Sequence, residues 1–111
     1  MLVSRSSPFG GKARTLVLLA LSLLSESFPR ELARLLGMSL NGIQQALRGL
    51  EVDGLVAARV AGRTRLYRLN PRYFAREELQ GFLKRLATAE TELVARTEQL
   101  RRRPRRAGKP L

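Results

Sequence analysis

Residues 28–71, FPRELARLLGMSLNGIQQALRGLEVDGLVAARVAGRTRLYRLNP, decide the fold. Pro29 suits the first turn of a helix, where its missing N–H is not needed. Leu32, Ala33, Leu35 and Leu36 supply the apolar positions of a helix from Arg30 to Leu36. Gly37 stops that helix, because glycine takes a left-handed backbone without strain. Ser39 is a good N-cap for the next helix, which extends to about Asp53. Within it Ile43, Ala46, Leu47 and Leu50 fall at i, i+3, i+4 and i+7, the stripe of a core-facing helix. Two short helices joined by about three residues that include glycine form a helix-turn-helix signature. After Gly54 the texture changes: Leu55 to Val60 and Thr64 to Leu69 are β-prone runs around Ala61-Gly62-Arg63, which predicts a hairpin closed by Asn70-Pro71.

Outward from this segment, residues 1–11 (MLVSRSSPFGG) lack periodicity and read as a flexible arm. A first helix from about Lys12 to Ser25 is apolar nearly all round, from Leu16 to Leu24, whereas a surface helix shows one stripe. That predicts cover from two sides, by the chain's own core and by a second subunit, with Leu16, Leu19 and Leu23 at the interface. Lys12 and Arg14 ahead of this run resemble a secretory signal. The run is far shorter than the ~20 residues that span a bilayer, and the core needs it as a helix. No membrane role is expected.

From about Tyr73 to Leu100 the pattern predicts one long polar helix, in which Leu79, Leu86, Leu93 and Leu100 recur every seven residues. Such a seam, with Phe82 beside it, suits pairing with a symmetry mate. Glu90 and Thr97 interrupt it. The expected organisation is an arm (1–11), a winged helix-turn-helix domain (12–76), a C-terminal dimerisation helix (77–100) and a basic disordered tail (101–111). The fold class is mainly α with a small β-hairpin, in the order α-α-α-β-β-α.

Charge narrows the function. Of 21 Lys and Arg against 9 Asp and Glu, giving a net charge of +12, six basic residues and no acid lie in RRRPRRAGKPL at 101–111. This balance favours a polyanion, since each phosphate neutralised releases condensed counterions. The sequence holds no Cys and no His. Disulfides, thiolate and imidazole metal sites, and triads that depend on histidine or cysteine are therefore excluded. Neither catalytic activity nor a metal or cofactor is expected.

In the third helix, Asn41, Gln45 and Arg48 lie opposite the apolar stripe, with Gln44 on the flank. Amides pair with adenine and guanidinium with guanine at major-groove base edges, although four polar residues on an exposed face are also an ordinary solvated surface. Their neighbours weigh towards nucleic acid. Ser39 and the free amides of the helix start lie where a phosphate is held. The hairpin adds Arg63 and Arg65, flanked by Arg59 and Arg68, and a hairpin tipped with arginine can enter a minor groove or grip the backbone.

Residues 28–71 resemble the winged helix-turn-helix of ArsR-like regulators of bacteria and archaea, through Glu31-Leu32-Ala33, the Gly37-Met38-Ser39 turn, Leu47 to Val56, and Tyr67-Arg68-Leu69-Asn70. The preceding FGGKARTLVLLAL resembles the family's first helix, so the likeness covers roughly residues 9–85. It implies that Leu40, Asn41, Gln44, Gln45 and Arg48 enter the major groove, with Ser39 at the helix start and Arg63, Thr64 and Arg65 in the wing. It also implies dimerisation through the first and last helices. Metal-sensing members use Cys and His, which this sequence lacks. The expectation is a cytoplasmic, nucleoid-associated regulator that binds double-stranded DNA as a homodimer, with a repressor on a palindromic operator as its specific form. The alternatives are a sequence-tolerant architectural protein and a winged-helix module for an unidentified protein partner.

Overall fold

The computed structural model describes residues 9–102. The elements in chain order are α1 (Lys12–Leu24), α2 (Pro29–Leu36), α3 (Leu40–Val52), β1 (Val56–Ala61), β2 (Thr64–Leu69), α4 (Arg76–Ala87) and α5 (Thr91–Arg102). The five helices and the hairpin make a mainly α winged helix-turn-helix.

Pro29 occupies the first turn of α2, and Gly37 ends it with φ of 64°. The Met38 amide then returns to the Ala33 carbonyl at 3.0 Å, which satisfies an end carbonyl and turns the chain sharply into α3. Ser39 caps α3, its hydroxyl accepting from the Gly42 amide at 3.0 Å. Ile43, Ala46, Leu47 and Leu50 are the buried residues of α3, as their spacing predicts.

Helix α1 is the hub, in contact with α2, α3, α4, α5 and β2. Residues Leu16 to Leu21 are at most 3% exposed within a single chain. Each buried Leu or Val contributes about 1.5–3 kcal/mol against leaving it in water. The chain thus covers α1 by itself, and the apolar circumference of this helix does not call for a second subunit.

The reason lies at the C-terminus, where the expected continuous helix is two. Thr88, Ala89 and Glu90 donate amides to the carbonyls of Arg85, Leu86 and Ala87 in a tight turn. The Thr88 hydroxyl donates to Arg85 as well, at 2.6 Å. Helix α5 then folds back onto α1 and α2. This turn moves the leucines of the heptad off a common seam. Leu79, Leu86 and Leu93 join Leu16 and Leu19 in the chain's own core, and each of the five is at most 6% exposed in the single chain. Of the expected interface residues, Leu23, Phe82 and Leu100 stay partly exposed. Glu90 and Thr97, which break the heptad, are buried too, and Thr97 donates its hydroxyl to the Val94 carbonyl at 2.8 Å.

At the other end, Phe9 packs edge-on against Phe82 with ring centroids 5.5 Å apart, so the last part of the expected arm is docked on α4. Residues 1–8 of that arm and residues 103–111 of the expected tail lie outside the described residues, while Arg101 and Arg102 belong to α5. Among the described residues no helix is long and apolar enough to cross a membrane.

Candidate nucleic-acid interface

The stripe that buries one side of α3 leaves the other in solvent. Asn41, Gln44, Gln45 and Arg48 are all exposed, at the spacing of one helix face, and Leu40 is half-buried at its start. Among the described residues Arg48 forms no ion pair. Ser39 is exposed, but its hydroxyl is committed to capping Gly42.

Behind this face α3 rests on α1 through a small residue. A Cβ at Gly49 would lie 3.0 Å from Nη1 of Arg14. That space admits the Arg14 guanidinium, which pairs with Asp53 just past the end of α3. The exposed face of α3 is therefore braced from its buried side by an arginine of the hub helix.

The hairpin stands beside α3. Val56 pairs with Leu69 and Ala61 with Thr64, leaving Gly62 and Arg63 as a two-residue turn. Gly62 has φ of 64°, which suits the first position of a turn whose twist matches the strands. Arg63 is exposed at the tip, with Thr64 half-buried next to it. At its base the hairpin gains a third member, because Ser27 and Tyr67 exchange both backbone hydrogen bonds, at 3.0 and 2.7 Å. The Ser27 hydroxyl donates to the Glu31 carboxylate at 2.5 Å in a buried contact.

Alternation divides the wing arginines between two faces. Arg65 and Tyr67 share one face, while Arg59, Thr64 and Arg68 share the other. Arg65 donates to the Tyr67 hydroxyl and to Glu51 of α3, both at 3.0 Å, and its guanidinium lies 5.6 Å from the Tyr67 ring centre. Arg59 grips Glu26 with two hydrogen bonds, at 2.8 and 2.9 Å. The hydrogen bond from Glu26, then its charge, raises the pKa of Arg59. For Arg65 the Tyr67 hydrogen bond is the largest cause of a rise, ahead of charge effects from Tyr67 and Glu51. Arginine is charged at any physiological pH in either case. Arg68 takes no part in this bracing; with Lys84 and Gln80 it lines a shallow groove of about 480 Å³ beside Leu21, Leu23 and Leu69.

The sequence reading missed Glu26, Glu51 and Tyr67 as parts of this site. The period of two could have revealed one of them, since it places Tyr67 on the same face as Arg65. Nothing local announces Glu26 or Glu51, whose arginine partners lie 33 and 14 residues away. No group of three or more Asp, Glu, His or Cys among the described residues is arranged to hold a metal ion.

No protein-family model matches the sequence, and no curated protein matches it significantly. Solved structures do match. Reduced HlyU from Vibrio cholerae is similar with a TM-score of 0.55 and 26% identity, over 71% of this chain and 77% of that one. ZitR from Lactococcus lactis, a mutant in the apo form, is similar with a TM-score of 0.54 and 19% identity, over 87% of this chain and 71% of that one. Both are winged-helix regulators of the ArsR/SmtB family. With its helix-turn-helix, its two-stranded wing and this likeness, the chain has a winged helix-turn-helix fold similar to that of ArsR-like regulators.

Proposed function

We propose that this protein is a DNA-binding transcriptional regulator that lays α3 in the major groove and its wing along the adjacent backbone. One observation carries the reading: Asn41, Gln44, Gln45 and Arg48 form an exposed strip of base-reading side chains directly opposite a fully buried stripe. Ser39 and Leu40 begin that strip at the helix start, and the wing brings Arg63 and Thr64, with Arg59, Arg65 and Arg68 along its strands.

In its finer form the protein is a homodimer on a palindromic operator, with two recognition helices about one turn of DNA apart, acting as a repressor by occluding polymerase. The partly exposed Leu23, Phe82 and Leu100 support a dimer surface. Double-stranded DNA as partner places the protein in the cytoplasm, at the nucleoid.

Fluorescence anisotropy at two salt concentrations tests this, comparing DNA from upstream of the protein's own gene with a scrambled duplex of equal length. A preference of a hundredfold, about 2.7 kcal/mol, is the expected result for a self-regulating protein. Equal, steeply salt-dependent binding to both duplexes leaves either an operator elsewhere or the architectural reading, which draws its support from the six basic residues at 101–111. Capture of a protein partner with no affinity for any duplex refutes both.

A further inference from the structure

The two ion pairs of the wing have a geometry that their number alone does not convey. They grip opposite faces of a two-stranded ribbon, and each runs to a different element. On one face Arg65 is tied to Glu51, in the last turn of α3. On the other Arg59 is tied to Glu26, in the connection between α1 and α2. A two-stranded hairpin has little rigidity of its own; the Ser27–Tyr67 bridge and the buried Val56 and Tyr67 fix its base, and the two ion pairs steady its outer part relative to α3. Each pair also uses up guanidinium donors. Arg59 gives Nε and Nη2 to Glu26, and Arg65 gives Nε to Tyr67 and Nη2 to Glu51. Arg63 at the tip has neither a hydrogen bond nor an ion pair among the described residues.

We infer that Glu26 and Glu51 are positioning residues that hold the wing from both faces and withhold Arg59 and Arg65 from phosphate, leaving Arg63 as the arginine presented to DNA at the wing's tip and Arg68 unbraced near its base. This rests on the DNA-binding reading above and deepens it. Four arginines in one hairpin, Arg59, Arg63, Arg65 and Arg68, could bind any duplex by charge alone. Withholding two of them lowers affinity for random DNA, while the fixed angle keeps the base-reading strip of α3 in register. The acids thereby act on specificity without touching DNA.

The test is the salt dependence of binding to a random duplex by the full chain and by E26Q and E51Q. A released arginine that finds a phosphate steepens the slope of log K against log salt by about 0.9. Each variant is expected to show that increase, with tighter random binding and a smaller preference for operator over random DNA. Loss of a negative charge near DNA could tighten binding by itself, so E51Q is repeated in an R65A background. There its effect on the slope should vanish. An unchanged or shallower slope in both single variants, or an E51Q effect that survives in R65A, overturns the inference.

A second measurement needs no DNA. In the free protein the Nε–H protons of Arg59 and Arg65 should exchange more slowly with solvent than that of Arg63, and E26Q should abolish the protection of Arg59. Equal, rapid exchange of all three overturns the restraint directly. Failure of the full chain to bind any duplex would instead refute the DNA-binding reading, and protected Nε–H signals would then still support the doubly held wing.

Discussion

Leu47 and Arg48 are neighbours in sequence with opposite prospects, and replacing each by alanine separates the scaffold of α3 from its reading face. Leu47 is 1% exposed in the core between α3 and the hub helix, and Arg48 is exposed with no ion pair among the described residues. Truncating a buried leucine removes its transfer free energy and leaves a cavity, at a cost of about 2–5 kcal/mol. In a domain of this size that lowers Tm by roughly 10 °C or more. An exposed arginine in a helix gives way to alanine within about 0.5 kcal/mol of stability. Its loss should appear in binding instead. A guanidinium bidentate to guanine contributes about 1–3 kcal/mol of discrimination, or roughly 5- to 150-fold in the ratio of operator to random affinity. Thermal melting and anisotropy titrations on both duplexes measure the two quantities in the same preparations. Equal weakening of operator and random DNA by Arg48→Ala would reduce that residue to a phosphate contact. A melting point lowered as far as that of Leu47→Ala would show the reasoning about the two faces to be wrong.

Other substitutions probe the supports of the site. Ser25 caps α1 with φ of 74° and ψ of −48°, a conformation that strains a residue with a Cβ by about 1–3 kcal/mol, so Ser25→Gly should raise stability in denaturant melts. Ser39→Ala removes the only side-chain cap of α3 and should cost about 1 kcal/mol, with a further loss of DNA affinity if the helix start frays. Ending the chain at Arg102 removes four basic residues; random-duplex binding should weaken, with the salt slope flatter by up to about 3.6, while the preference for operator rises.

What could be read from the sequence was local. The turn Gly37-Met38-Ser39 and the stripe Ile43 to Leu50 define the helix-turn-helix because each residue acts on neighbours within one or two turns. The hairpin was equally legible, from Gly62 between two β-prone runs. The reading failed where distant segments compete for the same surface. Leu79, Leu86 and Leu93 keep a seven-residue spacing, but the turn at Thr88 to Glu90 folds α5 back, and burial against α1 outweighs continuation of the helix. Glu90 and Thr97 were the local warning, since polar residues at heptad positions fit a helix that is not part of a long seam. The basic residues of the wing were found as charges, yet their partners were invisible, because pairing of Arg59 with Glu26 depends on how the wing base docks at Ser27.

Three ion pairs connect the elements of the proposed reading surface: Arg14 of α1 with Asp53 after α3, Arg65 of β2 with Glu51 of α3, and Arg59 of β1 with Glu26 after α1. Each is partly exposed and screened by solvent, so it adds little to stability, and the core, not these pairs, keeps the chain folded. Their effect is on the orientation of the outer wing, where a small energy is enough, because Arg59 to Arg63 are exposed while Val56 and Tyr67 anchor the base in the core. It also makes net charge a poor guide to affinity. An arginine bound to a carboxylate brings no condensed counterion exchange to the complex until that pair is broken, and breaking it offsets part of what the phosphate returns. Added salt weakens both the internal pairs and the DNA contacts. The specificity of the wing should therefore decline with ionic strength along with its affinity, whereas base contacts by Asn41, Gln44 and Gln45, which carry no charge, should persist.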